Sequence, residues 1–350
     1  MTTCAFLIPG DIDLPTGGYA YDRRVLGLLA EHGITALHVA LPGTYPAPTA
    51  ADLRTTAASI AELPEDRVLL IDGLAYGAMP ADLIERIRQP IVALCHHPLC
   101  LEAGLTEARQ SELRASEIAA LGLSRAVIAT SPMTAALLGR DFAVPASAIH
   151  VAEPGTDPAP RASGSSRGTP LQLLAVGAVV PRKGYDVLVR ALEKLRHHDW
   201  HLTIAGADDR SPGTAASLRA QIAVADLVSR IELTGAVDDA TLAELYAGTD
   251  LFVMPSLFEG YGMVLAEAMA RGLPIVCTTG GAAADTAPDA AALKVPPGNV
   301  AALAAALDHL LSDTPRRHAV ATAAWAAGQQ LPRWNDTAHN IARVLKRVAS

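Results

Sequence analysis

Aromatic residues and cysteines are scarce in this chain of 350 residues, where aromatics make up 4% and there are 4 cysteines. Each cysteine lies in an apolar stretch, and none has a neighbour at a metal-binding spacing. We therefore expect buried free thiols, as in a reducing compartment. The four are Cys4, Cys95, Cys100 and Cys277.

The chain also has no excess of positive charge and no long hydrophobic run. Lys and Arg number 28 against 36 Asp and Glu, which gives a net charge of −8. Such a chain lacks the overall attraction that drives non-specific binding to nucleic acid or to anionic membranes. No uncharged apolar run reaches the roughly 18 residues of a membrane span, and no export signal is readable. We expect a cytoplasmic protein, soluble or weakly peripheral to the inner membrane face, without a nucleic-acid partner; membrane contact is not indicated.

Several catalytic signatures are missing as well. The dinucleotide fingerprint Gly-x-Gly-x-x-Gly, the phosphate loop that ends in Gly-Lys-Ser/Thr and the zinc motif His-Glu-x-x-His do not occur. Ser131 precedes Pro132 at the expected start of a helix, so we interpret it as a helix cap, not as a nucleophile.

What is present is an alternation of short apolar runs with helical patterns. In the first half, strand-like runs at 5–9, 36–41, 68–72, 91–95 and 126–130 are separated by helical stretches, the first of which follows Gly17 and Gly18. The alternation starts afresh at residue 171 and continues to about residue 277. This pattern predicts parallel sheets with crossover helices.

A segment rich in Pro, Gly and Ser, residues 153–170, separates the two halves. We predict an N-terminal domain over 1–160, a linker over 161–169 and a second domain over 170–332. The predicted fold is α/β, with two doubly wound Rossmann-like domains that face each other across a cleft.

The most informative segment is Pro255 to Pro274, which carries Glu259 in a glycine-rich turn and Glu267 on the helix that follows. The turn supplies the backbone N–H groups of residues 260–263 at the positive end of the helix dipole, a suitable cradle for a diphosphate. The carboxylates should lie roughly 8–12 Å apart, one on each side of that anion. The plain alternative is a solvated helix residue and an ordinary loop residue.

This segment resembles the Glu-x7-Glu signature of the family 4 glycosyltransferases, which have the GT-B fold and retain the anomeric configuration. The resemblance implies that Glu259 contacts the transferred sugar and that Glu267 contacts the ribose of a nucleotide-sugar donor. It also implies donor contacts from the turn residues Gly260, Tyr261, Gly262 and Met263, and a final helix, 333–350, that packs back on the first domain.

A second element of the pattern is the pair Arg182 and Lys183, in a loop after a strand. Two cations there would neutralise a leaving diphosphate without a metal. Ala178 stands where many similar enzymes carry Arg, which leaves the division of work between Arg182 and Lys183 open. An ordinary solvated turn is the alternative.

Other loops are candidates for binding the donor or the acceptor. We expect Gly17 and Gly18, by likeness to the family's N-terminal glycine loop, and Gly206 and Val237, in loops after later strands, to contact the donor. A tight turn is the alternative for the glycine pair. His97 and Glu102 are assigned to the acceptor.

His96 and His97 follow the run 91–95, and strand alternation lets only one of the two rings face the sugar. By likeness to the family, His96 is the preferred catalytic residue, beside Glu259, Arg182 and Lys183. The histidines around 197–201 lie at the opposite end of the second sheet, and we expect neither a metal nor a cofactor.

The predicted function is therefore a retaining, metal-independent transfer of a hexose from a nucleotide diphosphate sugar, with UDP or GDP as the preferred nucleotide. The acceptor is a saccharide, a lipid-linked glycan or a small molecule. A glycoside hydrolase, a nucleotide-sugar epimerase and a non-catalytic two-domain sugar-binding protein remain as alternatives.

Overall fold

A computed structural model describes residues 2–165 and 170–350. Within these residues the chain divides into two compact units, Met1–Gly155 with Pro332–Ser350 and Thr156–Leu331. The predicted linker residues 166–169 lie outside the described residues.

The first unit is built on a parallel six-stranded sheet with strand order β2-β1-β3-β4-β5-β6. Its strands are β1 (Thr2–Pro9), β2 (Ile34–Leu41), β3 (Val68–Asp72), β4 (Ile91–Cys95), β5 (Ala126–Ala129) and β6 (Ile149–Val151). Its helices are α1 (Gly17–Leu28), α2 (Ala50–Ala61), α3 (Gly73–Tyr76), α4 (Ala81–Ile84), α5 (Glu107–Gly122) and α6 (Pro132–Asp141), with the C-terminal α14 (Trp334–Ala349).

The second unit repeats this plan, with strand order β12-β11-β10-β7-β8-β9, again all parallel. Its strands are β7 (Leu171–Val176), β8 (Trp200–Ala205), β9 (Ile231–Gly235), β10 (Leu251–Met254), β11 (Ile275–Thr278) and β12 (Ala292–Val295). Its helices are α7 (Tyr185–Glu193), α8 (Pro212–Val224), α9 (Asp239–Ala247), α10 (Met263–Ala270), α11 (Ala283–Thr286), α12 (Val300–Ser312) and α13 (Thr314–Gly328).

The central strands carry the core of each unit. β3 and β4 in the first unit and β10 and β11 in the second are buried along their whole length. Strands buried on both faces have continuous apolar sequences, because helices cover both faces of a parallel sheet. This arrangement leaves the carboxyl ends of the strands as the place for polar side chains.

The boundary between the units differs from the prediction. The first unit ends at Gly155, not at residue 160, and part of the predicted linker packs on the second unit. Ala162 donates its N–H to the Arg271 carbonyl, and Ser163 donates to the Ala247 carbonyl. These bonds satisfy backbone groups that a free linker would leave to water.

The last helix, α14, is part of the first unit. Its apolar face, with Trp334, Ile341 and Leu345, is buried, and the Thr337 hydroxyl donates a hydrogen bond of 2.7 Å to the Glu153 carbonyl. The hydrophobic face explains why the helix packs on a sheet. Across the described ranges, none of the helices combines the length and the apolar character that crossing a bilayer requires.

Candidate active site

In the second unit, the pair Arg182 and Lys183 lies on a tight turn, Pro181–Lys183, after β7. Gly184 ends the turn in the left-handed region, with φ of 64°, and a Cβ there would lie 2.3 Å from the Pro255 carbonyl oxygen. At Gly177 a Cβ would lie 2.9 Å from Cε of Lys183. The two glycines therefore let the basic turn lie directly on the neighbouring loop.

That neighbouring loop carries Glu259. Leu257 donates its N–H to the Arg182 carbonyl at 2.7 Å, and Glu259 pairs with Gly281 in an isolated parallel bridge. A Cβ at Gly281 would lie 2.3 Å from the Glu259 carbonyl oxygen. Three loops after parallel strands thus fix the Glu259 backbone.

The Glu259 carboxylate is bound by both cations. Nζ of Lys183 lies 2.7 Å from one carboxylate oxygen, and a guanidinium nitrogen of Arg182 lies 3.1 Å from the other. Burial alone would raise the pKa of this carboxyl, but Lys183 and Arg182 outweigh burial and lower its pKa to about 2. Glu259 is therefore ionised at every physiological pH.

This arrangement joins the basic pair to Glu259. Sequence reasoning assigned Arg182 and Lys183 to a leaving diphosphate and Glu259 to the sugar, as separate contacts. In this structure the three side chains form one cluster, because two buried cations require an anion nearby. A diphosphate bound by the cations would compete with the Glu259 carboxylate.

The turn that precedes α10 is buried over Gly260, Tyr261 and Gly262, and Met263 is half-buried. Gly262 occupies the cap position in the left-handed region, with φ of 91°, where it offers no side-chain cap to the helix. The assignment of these residues to a diphosphate stays a prediction.

Glu267 projects from α10 and is half-buried. The Tyr246 hydroxyl donates a hydrogen bond of 2.9 Å to its carboxylate, and the Arg271 guanidinium stacks over the Tyr246 ring at 4.4 Å. Burial raises the pKa of Glu267, while Tyr246 and Arg271 lower it by a smaller amount. Tyr246 was not among the residues predicted from the sequence, because its position on helix α9 carries no recognisable signal.

Gly206 and Val237 follow β8 and β9 in the same unit. Gly206 donates its N–H to the Gly235 carbonyl, and a Cβ at Gly206 would lie 2.1 Å from the Gly177 carbonyl oxygen. Val237 packs partly buried against the core. The nearby Asp208 pairs with Arg219.

In the first unit, His96 lies directly after β4. Its Nε2 lies 3.2 Å from an oxygen of Asp22 on α1 and 3.3 Å from an oxygen of Asp72 at the end of β3. Neither aspartate was among the sequence-based candidates. Asp72 could have been predicted from the sequence, since it ends a buried strand. Asp22 could not, because it lies within an amphipathic helix whose pattern gives it no distinguishing signal.

Gly17 and Gly18 begin α1, which is capped by the Thr16 side chain. A Cβ at Gly18 would lie 3.5 Å from Cδ2 of His96, so the glycine loop lies against that ring. The structure thus brings the predicted loop and the predicted histidine together.

His97 follows His96 beyond the end of β4 and contacts a different partner. Its Nε2 lies 3.3 Å from a carboxylate oxygen of Glu102, which joins the two residues assigned to the acceptor. Behind them, the buried Glu117 on α5 accepts N–H bonds from Leu99 and Cys100 and fixes this loop.

Two groups of side chains in the described ranges bring three potential metal-ligand atoms within 4.8 Å of one another. One is Asp22, Asp72 and His96; the other is His197, His198 and Asp308 on the surface of the second unit. In each group a histidine contacts an aspartate: His96 lies 3.2 Å from Asp22, and His198 lies 2.7 Å from Asp308.

The two parallel six-stranded units have the GT-B architecture of glycosyltransferases of known structure. Sucrose-phosphate synthase from Thermosynechococcus elongatus superposes with a TM-score of 0.84, at 21% identity, over 99% of both chains. The Anabaena protein HepE, in complex with UDP-glucose, gives a TM-score of 0.77 at 19% identity, over 99% of this chain and 100% of its own. These likenesses establish the fold.

Residues 170–313 match the model of the family described as Glycosyl transferases group 1. The resemblance to glycosyltransferases stated from the sequence is thereby confirmed. Mannosylfructose-phosphate synthase from Agrobacterium fabrum is 30% identical over 171 residues, which are 44% of this chain and 38% of that protein. The chain spans between 38% and 59% of the length of this and other curated relatives that it matches.

Proposed function

We propose that this protein transfers a hexose from a nucleotide diphosphate sugar to an acceptor hydroxyl, with retention of configuration and without a metal. UDP or GDP is the nucleotide, and the acceptor is a saccharide, a lipid-linked glycan or a small molecule. The observation that carries this proposal is the Arg182, Lys183 and Glu259 cluster beside the start of α10, within the segment of the family match.

The cluster fits the departure of a diphosphate. When the bond between the anomeric carbon and the diphosphate breaks, negative charge grows on the leaving phosphate oxygens, and preformed cations stabilise that charge. Arg182 and Lys183 are buried to about five-sixths of their side-chain surface, which strengthens the interaction. HepE has been crystallised with UDP-glucose, which supports a donor of this class.

The same cluster assigns a role to Glu259. Because it stays ionised, Glu259 accepts hydrogen bonds from sugar hydroxyls and balances positive charge at the anomeric carbon, but it has no proton to give. The acceptor hydroxyl loses its proton to the departing phosphate oxygen, on the face where the new bond forms.

Calorimetric titration tests the donor. UDP, GDP, ADP and their sugar conjugates are titrated, with EDTA present, into the wild type, Glu267→Gln and the control Glu232→Gln, an exposed residue of β9. We expect micromolar binding of one nucleotide, weakened about tenfold or more in Glu267→Gln and unchanged in the control.

The reaction itself is followed by NMR of the product anomer with the donor that binds. A product with the donor's anomeric configuration supports retention. Absence of nucleotide binding to folded protein refutes the proposal. Hydrolysis of an aryl glycoside without nucleotide favours the glycoside hydrolase alternative.

A further inference from the structure

The second unit holds a group of side chains that the proposed transfer does not use. His197 and His198 lie in the turn between α7 and β8, and Asp308 lies on α12. Each of the three offers one atom that could bind a metal ion, and these atoms lie within 4.8 Å of one another. The turn leads into the amino end of β8, whereas Glu259 and its two cations follow the carboxyl ends of β10 and β7. The group is therefore separate from the candidate active site.

Both imidazoles are directed at one carboxylate oxygen. Nε2 of His198 lies 2.7 Å from Oδ1 of Asp308, and Nε2 of His197 lies 3.5 Å from the same oxygen. Ligand atoms about 2.1 Å from a tetrahedral Zn²⁺ ion lie roughly 3.4 Å from one another. The distance from His197 to Asp308 already matches this spacing. The His198 contact would lengthen by less than about 1 Å when an ion replaces the hydrogen bond.

Two imidazoles and one carboxylate are a ligand set that suits Zn²⁺. Imidazole nitrogen favours zinc and similar transition-metal ions, whereas Mg²⁺ and Ca²⁺ prefer oxygen ligands. Zinc held by three protein ligands takes water in its fourth position. The side chains of His197 and Asp308 are 63% and 48% exposed, so water reaches that position.

The backbone of the turn is fixed by contacts that need no ion. The Arg230 guanidinium stacks over the buried Trp200 ring, 3.9 Å from its centroid. It also donates hydrogen bonds to the main-chain carbonyls of Arg196, His198 and Trp200. The indole N–H of Trp200 donates to the Leu195 carbonyl at 2.9 Å. A turn that is already ordered loses little conformational entropy when its side chains bind a ligand.

Asp308 comes from a helix that packs on the same core as the turn. Leu307 and Leu310 of α12 are fully buried in one cluster with Leu195, which lies just before the histidines. His198 and Asp308 are 110 positions apart in the sequence. An ion bound to both would therefore connect two distant segments of the second unit, and it would stabilise the folded state relative to the unfolded chain.

We propose that His197, His198 and Asp308 bind one Zn²⁺ ion, which links the turn before β8 to α12 and stabilises the second unit. The inference does not depend on the proposed function. The sequence led us to expect no metal here, because these histidines lie at the amino end of the sheet. That position argues against a catalytic ion but not against a structural one.

Zinc binding is measured on the full chain after treatment with EDTA and removal of the chelator. Zn²⁺ is titrated calorimetrically into the wild type, His197→Gln, Asp308→Asn and the control His318→Gln, an exposed histidine of α13. We expect micromolar binding to the wild type and to the control. Loss of a ligand should weaken binding by at least about tenfold in the other two variants. Mg²⁺ should not bind, because imidazole is a poor ligand for it.

The ion must also be located, because Asp22, Asp72 and His96 of the first unit form the other group of potential ligands. Spectra of the chain labelled with 15N-histidine, assigned with His197→Gln and His198→Gln, are recorded with one equivalent of Zn²⁺. We expect the His197 and His198 signals to shift and EDTA to reverse the shift. A shift confined to His96 would place the ion in the first unit and overturn the inference.

Thermal unfolding separates a metal site from a simple hydrogen bond. Because His197 is mostly exposed, His197→Gln should melt like the wild type in EDTA. With free Zn²⁺ at about 100 times Kd, the transition of the second unit should rise by roughly 5 °C or more in the wild type, and not in His197→Gln.

Two further results overturn the inference. One is equal zinc affinity in the wild type and His197→Gln, and the other is an equal rise of the transition in both. Binding to the wild type that is only millimolar also overturns it, since scattered surface histidines bind zinc that weakly. Nucleotide binding is measured separately, so its failure would leave this inference intact.

Discussion

At the scale of single residues, Glu259 is the test of the cluster in the second unit. The change Glu259→Gln removes the anion that binds Lys183 and Arg182. Because the cations no longer share their charge with a carboxylate, we expect UDP or GDP to bind as tightly as in the wild type or more tightly, while transfer falls by about 100-fold or more. Calorimetry and a transfer assay measure the two effects.

The exposed Glu232→Gln serves again as the control and should change neither quantity. Nucleotide binding that weakens tenfold in folded Glu259→Gln would show that Glu259 helps to bind the diphosphate and does not compete with it.

Glu117 makes the first unit sensitive to pH. Burial raises the pKa of its carboxyl from 4.5 to about 7, against the lowering effect of the N–H groups of Leu99 and Cys100. A carboxyl with a raised pKa in the folded state stabilises the fold below its unfolded pKa, and this contribution is lost as the pH rises from 4.5 through 7. It amounts to at most about 3 kcal/mol.

Urea unfolding of Glu117→Gln at pH 5 and pH 7.5 measures this contribution. We expect a smaller difference in unfolding free energy between the two pH values than in the wild type, because other titrating groups are common to both. The exposed Glu112→Gln on the same helix should keep the wild-type difference. An unchanged pH dependence in Glu117→Gln would contradict the burial argument.

How much of the site was predictable differs from residue to residue. Glu259, Glu267, Arg182 and Lys183 stand in a recognisable pattern, because loops that bind a common substrate class keep a local sequence. Asp22 and Tyr246 have no such pattern, since each becomes part of a site only through contacts made by folding. The pairing of Glu259 with both cations was missed because sequence shows the charges but not their distances.

At the scale of elements, the loop after β11 supports the start of α10. Gly281 has φ of 64°, and a Cβ there would lie 2.3 Å from the Glu259 carbonyl oxygen. We expect Gly281→Ala to destabilise the second unit by roughly 1–3 kcal/mol and to lower transfer as Glu259 shifts. Thermal unfolding and the transfer assay report both changes.

Gly27→Ala is the matched control, because Gly27 lies in α1 with nothing within 4 Å of an added Cβ. Alanine favours a helix over glycine by about 1 kcal/mol, so this variant should be slightly more stable than the wild type. Wild-type stability and activity in Gly281→Ala would show that the bridge to Glu259 is not needed.

Elements with a strong apolar pattern were predictable from the sequence, and elements with a weak apolar pattern were not. The core strands β3, β4 and β10 appear in the sequence as apolar runs, because both of their faces are buried. The edge strands β6 and β12 were not predicted, since they are short and only partly buried. Helix α13 was also missed, because alanine-rich sequence gives a weak apolar stripe.

At the scale of the whole molecule, α14 belongs to the first unit, although it follows the second in sequence. Deletion of residues 333–350 exposes the surface that Trp334, Ile341 and Leu345 cover. We expect a lower unfolding temperature for the first unit and an unchanged transition for the second. Scanning calorimetry, with nucleotide binding as the readout for the second unit, measures this.

Removal of Ser350 alone is the control, because this residue is exposed and lies beyond the end of α14. A deletion variant in which the first unit melts as in the wild type would show that α14 contributes no stability.

The general plan of two doubly wound units could be read from the alternation of strands and helices, but the exact boundary could not. Residues 156–165 look like a linker in composition, yet Ala162 and Ser163 bond to the second unit. The composition of a segment indicates whether it has apolar side chains to bury. It does not indicate which backbone groups the segment will hydrogen-bond with.

Because α14 packs on the first unit, the two units are completed at different times during synthesis. A ribosome releases residues 156–331 before it releases 332–350, so the second unit has all of its strands while the first still lacks its closing helix. The nascent first unit therefore exposes the apolar surface that α14 later covers for as long as translation of the intervening 176 residues takes. Synthesis rate and chaperone access thus act on the first unit more than on the second.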